Sequence, residues 1–218
     1  MIRVVVADDQ AIVRAGFTVI VEAAGDIQVV GEAKDGYEAV ELARALRPDV
    51  VCMDIRMPGR DGIEATRLLS SDEEGHIPVL VVTTFDLDDY VFGALEAGAA
   101  GFLLKGADEE ALVGAIRSVA AGEGTLDQKI TRRVLSEFAG RRSSPDRSTD
   151  AVAESLTPRE LDILRLLSEG LSNQEMAARL FIEASTVKYH LAGLLAKIGA
   201  RDRLQAVVWA FRNGLDAG

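Results

Sequence analysis

The sequence predicts an α/β domain with a doubly wound parallel sheet, followed by an all-α domain. Three observations lead to this prediction. Over residues 1–121, short apolar runs alternate with segments of helical periodicity, a polar stretch occupies residues 140–150, and only helical periodicity follows it. Alternating strands and helices form a parallel sheet with helices on both faces. With 218 residues the chain is long enough for two small domains.

The first part of the chain contains five predicted strands, each apolar and rich in β-branched residues. They are Ile2–Ala7, Ile27–Ala33, Val50–Met53, Ile77–Val82 and Gly101–Leu104. The predicted helices are Ala11–Ala24, Tyr37–Leu46, Ile63–Ser71, Leu87–Ala97 and Asp108–Ala121. Gly25, Pro48 and Gly98 stop three of these helices. Five such units fit the flavodoxin-like strand order 2-1-3-4-5.

The last part of the chain reads as four helices. Two of them begin with capping boxes, Thr157-Pro158-Arg159-Glu160 and Ser172-Asn173-Gln174-Glu175. The predicted helices run from Thr157 to Glu169, Ser172 to Leu180, Ala184 to Ile198 and Asp202 to Arg212. Two short helices joined by a tight turn are typical of a helix-turn-helix. The alternative is a small helical bundle without a ligand.

A linker is predicted between the two parts. Thr125–Ala139 has an amphipathic helical pattern, and residues 140–150 are rich in Ser, charged residues and Pro, a composition typical of a flexible segment. We therefore expect one domain at residues 1–121, a linker at 122–154 that is helical at first and then flexible, and a second domain at 155–218.

Charge is distributed unevenly along the chain. From Arg141 onward there are 11 basic and 10 acidic residues, so the net charge of −11 comes from the first part. This asymmetry suggests two domains with different partners.

No apolar run approaches the roughly 20 residues that cross a bilayer, and the start has no cleavage-site pattern. We expect a cytoplasmic protein without a membrane partner, in which Cys52 is a buried structural thiol.

Polar side chains with matching chemistry follow the predicted strands. Asp8 and Asp9 end the first strand and Asp54 the third, while Thr83 and Lys105 end the fourth and fifth. In the order 2-1-3-4-5, strands 1 and 3 are neighbours, so these groups converge on one crevice. Three carboxylates close together repel each other and need a cation between them. Hard oxygen ligands in this number suit Mg²⁺.

A carboxylate beside a bound metal can act as a nucleophile toward a phosphoryl group, which gives an aspartyl phosphate. A metal ion and the Lys105 ammonium stabilise the charge that is transferred, and the Thr83 hydroxyl can bind a phosphoryl oxygen. Taken alone, Asp54 could equally be an ordinary acid at a strand end in water. Its combination with Asp8, Asp9, Thr83 and Lys105 favours phosphoryl chemistry.

Two sets of motifs resemble known families. Residues 1–121 resemble receiver domains of bacterial two-component systems, with Asp8-Asp9, Met53–Gly59 with Asp61-Gly62, Val82–Phe85 and Gly101–Lys105 as the matching residues. Residues 155–213 resemble the LuxR-type helix-turn-helix of the NarL/FixJ class, matching at Leu156–Glu160, Glu169–Asn173 and Thr186–Lys188. The resemblance covers both domains in the order that the family has.

The resemblance implies a role for each site residue. Asp54 would receive a phosphoryl group from a sensor histidine kinase and would bind Mg²⁺ together with Asp9 and the backbone carbonyl of Arg56, with Asp8 in support. Thr83 and Phe102 would be the switch pair, the hydroxyl moving to the phosphate and the ring rotating inward. Lys105 would bind the phosphoryl oxygens. A departure is Gly106, where receivers usually carry Pro or Asp, and it leaves the geometry of the adjoining peptide bond open.

The resemblance further implies promoter DNA as a partner, a homodimer on activation, RNA polymerase as a further candidate partner, and no turnover enzyme. In the predicted helix Ala184–Ile198, an apolar stripe starts at Val187 and faces a core. Lys188 and Tyr189 are the predicted base readers because the first turns of a recognition helix enter the major groove. The predicted DNA-contacting residues are Thr186, Val187, Lys188, Tyr189, Ala192 and Lys197.

This helix departs from the family at its start, and it also contains a glycine. Glu183 stands where a Ser cap is usual, which costs roughly 1 kcal/mol, and Gly193 inside the helix costs a similar amount, about 1 kcal/mol. Four basic residues and one acid lie between Ala184 and Arg203. This modest local charge limits the attraction of one protomer to phosphates, so we expect dimerisation to matter.

Two other functions are compatible with parts of this pattern. An aspartyl-phosphate phosphatase also carries carboxylates at strand ends, but it needs a second Asp two residues after its nucleophile. Here Asp8 and Asp9 are adjacent and Gln10 occupies the second position. A regulator that binds DNA without phosphorylation is opposed by the complete acidic set. The sequence therefore predicts a transcription factor switched by phosphorylation of Asp54, acting either through dimerisation or through release of the DNA-binding domain.

Overall fold

The structure is a computed structural model, and it describes residues 1–72, 74–84, 88–126 and 155–215. The chain divides into two compact units, Met1–Asp127 and Gln128–Gly218. Each unit is described by itself below. The predicted linker, residues 122–154, falls mostly outside the described residues, so its bounds and those of the two domains stay predictions.

The first unit contains a parallel sheet with the predicted strand order. The strands are β1 (Ile2–Ala7), β2 (Ile27–Ala33), β3 (Val50–Met53), β4 (Val79–Thr83), β5 (Gly101–Leu104) and β6 (Thr125–Leu126). Their order is β2-β1-β3-β4-β5-β6, which confirms the order 2-1-3-4-5 for the first five. The fourth strand begins later than predicted, because Pro78 has no N–H to donate to the sheet.

The short strand β6 corrects one prediction. Thr125–Ala139 was predicted to be helical, but Thr125 and Leu126 extend the sheet and pair in parallel with Gly101 and Phe102 of β5. The open edge of β5 offers unpaired backbone groups, and this tertiary contact overrides a weak local helical pattern. The rest of the predicted helix lies outside the described residues.

Five helices accompany the sheet and have the bounds α1 (Ala11–Ala23), α2 (Gly36–Leu46), α3 (Gly62–Ser70), α4 (Asp88–Glu96) and α5 (Glu109–Ala120). The residues of β3 and β4 are all buried, as expected for strands covered on both faces. Cys52 is buried in β3, and burial raises the pKa of its thiol to about 12. The carboxyl ends of β1, β3, β4 and β5 therefore lie at one edge of a well-packed sheet.

The second unit consists of four described helices, as predicted: α6 (Pro158–Ser168), α7 (Asn173–Leu180), α8 (Ala184–Ile198) and α9 (Arg203–Arg212). Both predicted capping boxes are present, at Thr157 and at Ser172. Phe181 ends α7 in the left-handed region with a φ of 55° and makes the tight turn into α8. The core of the unit includes Ile163, Leu167, Met176 and Leu194. No helix among the described residues has the length and apolar character needed to cross a membrane.

Candidate functional site

The acidic residues meet because β1 and β3 are neighbours in the sheet. Ala7 and Met53 are partners in the register, so Asp8 and Asp54 leave the two strands side by side. The backbone N–H of Asp54 donates to the carbonyl of Ala7 at 2.9 Å, which extends the pairing to the site itself. Carboxylate oxygens of Asp8, Asp9 and Asp54 all lie within 4.8 Å of one another. The predicted convergence of these three residues is thus present.

Lys105 bridges two of the acids. Its Nζ lies 2.5 Å from Oδ2 of Asp8 and 2.7 Å from Oδ2 of Asp54. Asp8 and Asp54 are buried, Asp9 is exposed, and the Lys105 side chain retains 12% of its surface. Burial by itself lowers the pKa of Lys105, but the hydrogen bonds to Asp54 and Asp8 outweigh it and raise this pKa above its ordinary value. The lysine is therefore held as an ammonium against the acids.

Backbone groups fix the other oxygens of the same carboxylates. Oδ1 of Asp54 accepts from the N–H of Ile55 at 2.7 Å, and Oδ1 of Asp8 accepts from the N–H of Gln10 at 2.9 Å. Arg14 donates from Nη1 to the backbone carbonyl of Asp8 at 2.8 Å. No sequence pattern singles out Arg14, because its contact depends on how α1 packs beside β1.

Gly62 makes room for the backbone of Asp54. A Cβ at position 62 would lie 1.9 Å from the carbonyl oxygen of Asp54, which is far inside van der Waals contact. The N–H of Gly62 also donates to the carbonyl of Ile55 at 2.9 Å. The first residue of α3 is thus pressed directly against the loop that carries Asp54, and any side chain there would displace this loop.

The predicted switch residues lie on the neighbouring strands. Thr83 ends β4, is fully buried, and pairs in register with Leu104 of β5. The side chain of Phe102 is also fully buried. An inward rotation of this ring would therefore have to start from a conformation other than the present one.

Gly106 leaves the geometry at Lys105 regular. A Cβ added there would meet nothing within 4 Å, and no peptide bond among the described residues is cis. The N–H of Ala107 donates to the carbonyl of Leu104 at 2.9 Å, which closes a turn around Lys105 and Gly106. The departure at this position therefore leaves the lysine in contact with both acids.

The charge balance of the site fits a hard cation. Three carboxylates face one ammonium, so the cluster keeps an excess of negative charge, and carboxylate oxygens are the ligands that Mg²⁺ prefers. Asp9 is the most exposed of the three and lies where a hydrated ion can enter. Arg56, whose carbonyl is the fourth predicted ligand, follows two residues after Asp54 in the same loop.

In the second unit, the predicted DNA-contacting residues of α8 divide into two groups. Lys188, Tyr189 and Ala192 are exposed, with 76% of the Tyr189 surface accessible, and Thr186 is half-buried. Val187 has no exposed surface and belongs to the core. The side chain of Val187 therefore cannot contact DNA, because the apolar stripe that starts there faces inward. This corrects the prediction that Val187 is a DNA-contacting residue.

Lys197 has partners inside the unit. Its Nζ donates to Oε2 of Glu160 at 2.7 Å and to the carbonyl of Ser155 at 3.1 Å. Arg203, another of the basic residues counted near α8, donates from Nη2 to the carbonyl of Leu171 at 2.6 Å. The positive charge near α8 is thus partly used for internal contacts, and the structure gives no support to Lys197 as a residue that contacts DNA.

The ends of α8 differ. Glu183 precedes the helix without forming a side-chain cap, as its poor capping tendency predicts. At the other end, Gly199 closes the helix in the left-handed region with a φ of 68°. The helix thus has a glycine cap at its carboxyl end, whereas the turns that are predicted to enter DNA begin without a side-chain cap.

Comparison with known proteins agrees with the two units. Residues 4–117 match the response regulator receiver domain family, and residues 154–210 match the luxR family of bacterial regulatory proteins. The transcriptional regulatory protein LiaR of Bacillus subtilis (strain 168) is 44% identical over 217 residues, covering 99% of each chain. The uncharacterized transcriptional regulatory protein YxjL of the same strain is 42% identical over 98% of this chain and 97% of its own length.

Solved structures give the same result. The response regulator ChrA of a heme-sensing two-component system is 39% identical, with a TM-score of 0.54 and 98% of each chain covered. The receiver domain of a NarL from Mycobacterium tuberculosis is 41% identical, with a TM-score of 0.54 over 56% of this chain and 98% of that one.

The fold, the acidic pocket and these matches define a two-component response regulator. The chain belongs to the NarL/FixJ family of response regulators, which join a receiver domain to a LuxR-type helix-turn-helix that binds DNA. This family consists of regulators of transcription and not of turnover enzymes, so a phosphatase is set aside. A receiver domain implies a kinase as partner, and the helix-turn-helix implies DNA.

Proposed function

We propose that Asp54 accepts a phosphoryl group from a sensor histidine kinase and that this controls binding to promoter DNA. The observation that carries the proposal is the contact of the Lys105 ammonium with both Asp54 and Asp8, beside the exposed Asp9. A carboxylate oxygen of Asp54 attacks phosphorus, the bond from phosphorus to the donor's nitrogen breaks, and the acyl phosphate stays on Asp54.

Each neighbour of Asp54 has a part in this step. Lys105 stabilises the charge that arrives on the phosphoryl oxygens, as its ammonium already lies 2.7 Å from Asp54. Mg²⁺ would be held by Asp8, Asp9, Asp54 and the carbonyl of Arg56, and it would neutralise charge on the phosphoryl group. Thr83 and Phe102 form the switch pair, because the hydroxyl ends the strand next to the acceptor and the ring lies on the adjoining strand.

The added charge at Asp54 favours a homodimer, and the dimer presents two α8 helices to adjacent turns of DNA. Lys188 and Tyr189 are the proposed base readers because they are exposed on the second turn of α8, and Thr186 is the proposed phosphate contact. RNA polymerase is a further candidate partner of the bound dimer. The similarity to LiaR, a transcriptional regulatory protein, supports a role at promoters.

The test is labelling of the chain with radioactive acetyl phosphate in the presence of Mg²⁺. Asp54→Asn should abolish labelling and the gain in DNA binding that follows it, because the amide is not a nucleophile toward phosphorus. Asp26→Asn is the matched control, since Asp26 is a surface acid paired with Arg117, and it should label normally. Undiminished labelling of the Asp54 variant would show that another residue is the acceptor.

A further inference from the structure

The two capping boxes of the second unit differ in their surroundings. Glu175 pairs with Ser172 at the start of α7 and is exposed. Glu160 pairs with Thr157 at the start of α6 and is only 5% exposed. A capping acid needs no burial to cap its helix. The burial of Glu160 therefore calls for a second role.

That role involves Lys197, which lies 37 residues further along the chain. Oε2 of Glu160 accepts from the N–H of Thr157 at 2.7 Å, from its hydroxyl at 2.9 Å, and from Nζ of Lys197 at 2.7 Å. Lys197 also donates to the carbonyl of Ser155 at 3.1 Å. One carboxylate oxygen thus joins the start of α6 to the last turn of α8.

The other oxygen of Glu160 packs against the same helix. A Cβ at position 193 would lie 3.0 Å from Oε1 of Glu160, a tight contact, so a side chain there would require this oxygen to shift by a few tenths of an ångström. Gly193 and Lys197 are four residues apart and therefore share one face of α8. Together they form the surface of α8 against which the carboxylate of Glu160 packs. Lys197 supplies a hydrogen bond, and Gly193 leaves space for Oε1.

We propose that Glu160 is a positioning residue for the recognition helix, holding α8 in its DNA-reading orientation through Lys197 and Gly193. The proposal rests on the proposed DNA binding by α8. Because Lys197 also donates to the carbonyl of Ser155, the orientation of α8 is linked to the residues just before α6. Lys197 then supports DNA binding without contacting DNA.

Two explanations of the role of Lys197 predict different effects of substitutions on the affinity for DNA. If Lys197 and Glu160 acted on DNA only by their charges, Lys197→Met would weaken binding and Glu160→Gln would strengthen it. If they position α8, both substitutions weaken binding, and the double variant is no worse than either single one because both remove the same contact. Glu160→Gln suits this test since a Gln at this position can still complete a capping box.

The experiment uses the full chain phosphorylated with acetyl phosphate. The probes are a DNA duplex that the unaltered chain selects from a random-sequence library and a shuffled duplex of the same composition. Binding is measured over a range of salt concentrations, at a temperature well below the melting temperature of every variant. Because folding is intact under these conditions, a change in the ratio of the two affinities reports the orientation of α8.

Glu160→Gln and Lys197→Met should each lower the ratio of selected to shuffled affinity about tenfold, which corresponds to about 1.4 kcal/mol. The salt dependence should stay unchanged, because no phosphate contact is lost. Gly193→Ala, which carries no charge change, should lower the ratio in the same direction by a smaller factor. Glu175→Gln is the matched control at the exposed box and should leave the ratio as it is.

The proposal is overturned if Lys197→Met weakens binding to both duplexes equally and reduces the salt slope by about 0.9, the signature of one lost phosphate contact. It is also overturned if Glu160→Gln strengthens binding or leaves the ratio unchanged. If the unaltered chain selects no duplex at all, the proposed function fails first, and that result is distinct from a change confined to these variants.

Discussion

The sites of Asp54 and Glu160 contain the same kinds of residue but have different functions. Each is a buried acid with a lysine Nζ at 2.7 Å, and each lies against a glycine. A Cβ at position 62 would collide with the backbone oxygen of Asp54, whereas a Cβ at position 193 would only crowd the side-chain Oε1 of Glu160. At Asp54, however, three carboxylates share one ammonium, whereas at Glu160 one carboxylate receives three donors.

The difference lies in the charge that each site leaves unbalanced. The Asp54 cluster holds more negative charge than Lys105 neutralises, so it can take up a cation and a phosphoryl group. The Glu160 pair is neutral, because one ammonium balances one carboxylate, so it holds no excess charge that would attract a cation. An acid paired with a lysine therefore indicates chemistry only when the surrounding charges do not cancel.

The largest effect is expected at Gly62, and a much smaller one at Gly193. Gly62→Ala places a Cβ 1.9 Å from the backbone oxygen of Asp54, which can move only if the acceptor loop moves. We expect the free energy of unfolding of the first unit to fall by about 4 kcal/mol, in the range of severe steric substitutions. Gly193→Ala meets only the end of the Glu160 side chain, and the better helix propensity of Ala offsets about 1 kcal/mol of the strain.

Urea denaturation can follow the two units separately. Trp209 is the single tryptophan and lies in the second unit, so its fluorescence reports that unit, while hydrogen exchange of the strand amides reports the sheet. Gly106→Ala is the control in the first unit, because a Cβ there meets nothing within 4 Å. If Gly62→Ala were as mild as Gly106→Ala, the close approach of α3 to Asp54 would not constrain the site.

The sheet and the acidic cluster could be predicted because they follow from local pattern and topology. Each strand is a short apolar run, and the order 2-1-3-4-5 brings the ends of β1 and β3 together whatever the details of packing. Asp8, Asp9, Asp54 and Lys105 therefore meet as expected.

The second site could not be predicted in this way. The contact of Glu160 with Lys197 depends on the angle at which α6 crosses α8, and no periodicity encodes that angle. In the sequence, a capping box accounts for Glu160, and a position on the polar face of the helix accounts for Lys197. Gly193 carried a usable signal, because a glycine inside a helix has a cost that only close packing justifies. The strand at Thr125 and Leu126 was missed for a similar reason, since the open edge of β5 decides it.

A second prediction compares the two lysines. Lys105→Met leaves Asp8 and Asp54 buried without their cation, and we expect this to cost the first unit about 2–3 kcal/mol, somewhat below the value for a fully buried pair. Lys197→Met leaves Glu160 with both donors of Thr157 and should cost the second unit about 1 kcal/mol. The measurement is urea denaturation of each variant with and without Mg²⁺.

Metal and pH should separate these variants further. Mg²⁺ should restore much of the stability lost in Lys105→Met, because it supplies the missing positive charge, and it should leave Lys197→Met unchanged. Since the folded pKa of Lys105 lies above its ordinary value of 10.5, its stabilisation is complete below that pH and declines as the pH rises through the folded value. The variant should lack this alkaline decline. Equal responses of both variants to Mg²⁺ would remove the distinction between the two sites.

The smallest effect concerns the free end of the recognition helix. Glu160 fixes the carboxyl-terminal half of α8, whereas Glu183 leaves its first turn without a side-chain cap. Glu183→Ser should supply the missing acceptor and raise the free energy of unfolding of the second unit by about 1 kcal/mol, measured by Trp209 fluorescence. Ser172→Ala, which removes an existing cap from α7, is the matched control and should lower the free energy of unfolding by about the same amount.

If the orientation of α8 is set at Glu160, the cap added by Glu183→Ser should stabilise α8 without changing the ratio of selected to shuffled DNA affinity. A change in that ratio as large as the one expected for Glu160→Gln would mean that the first turn, and not the contact of Glu160 with Lys197 and Gly193, determines the orientation of α8 on DNA.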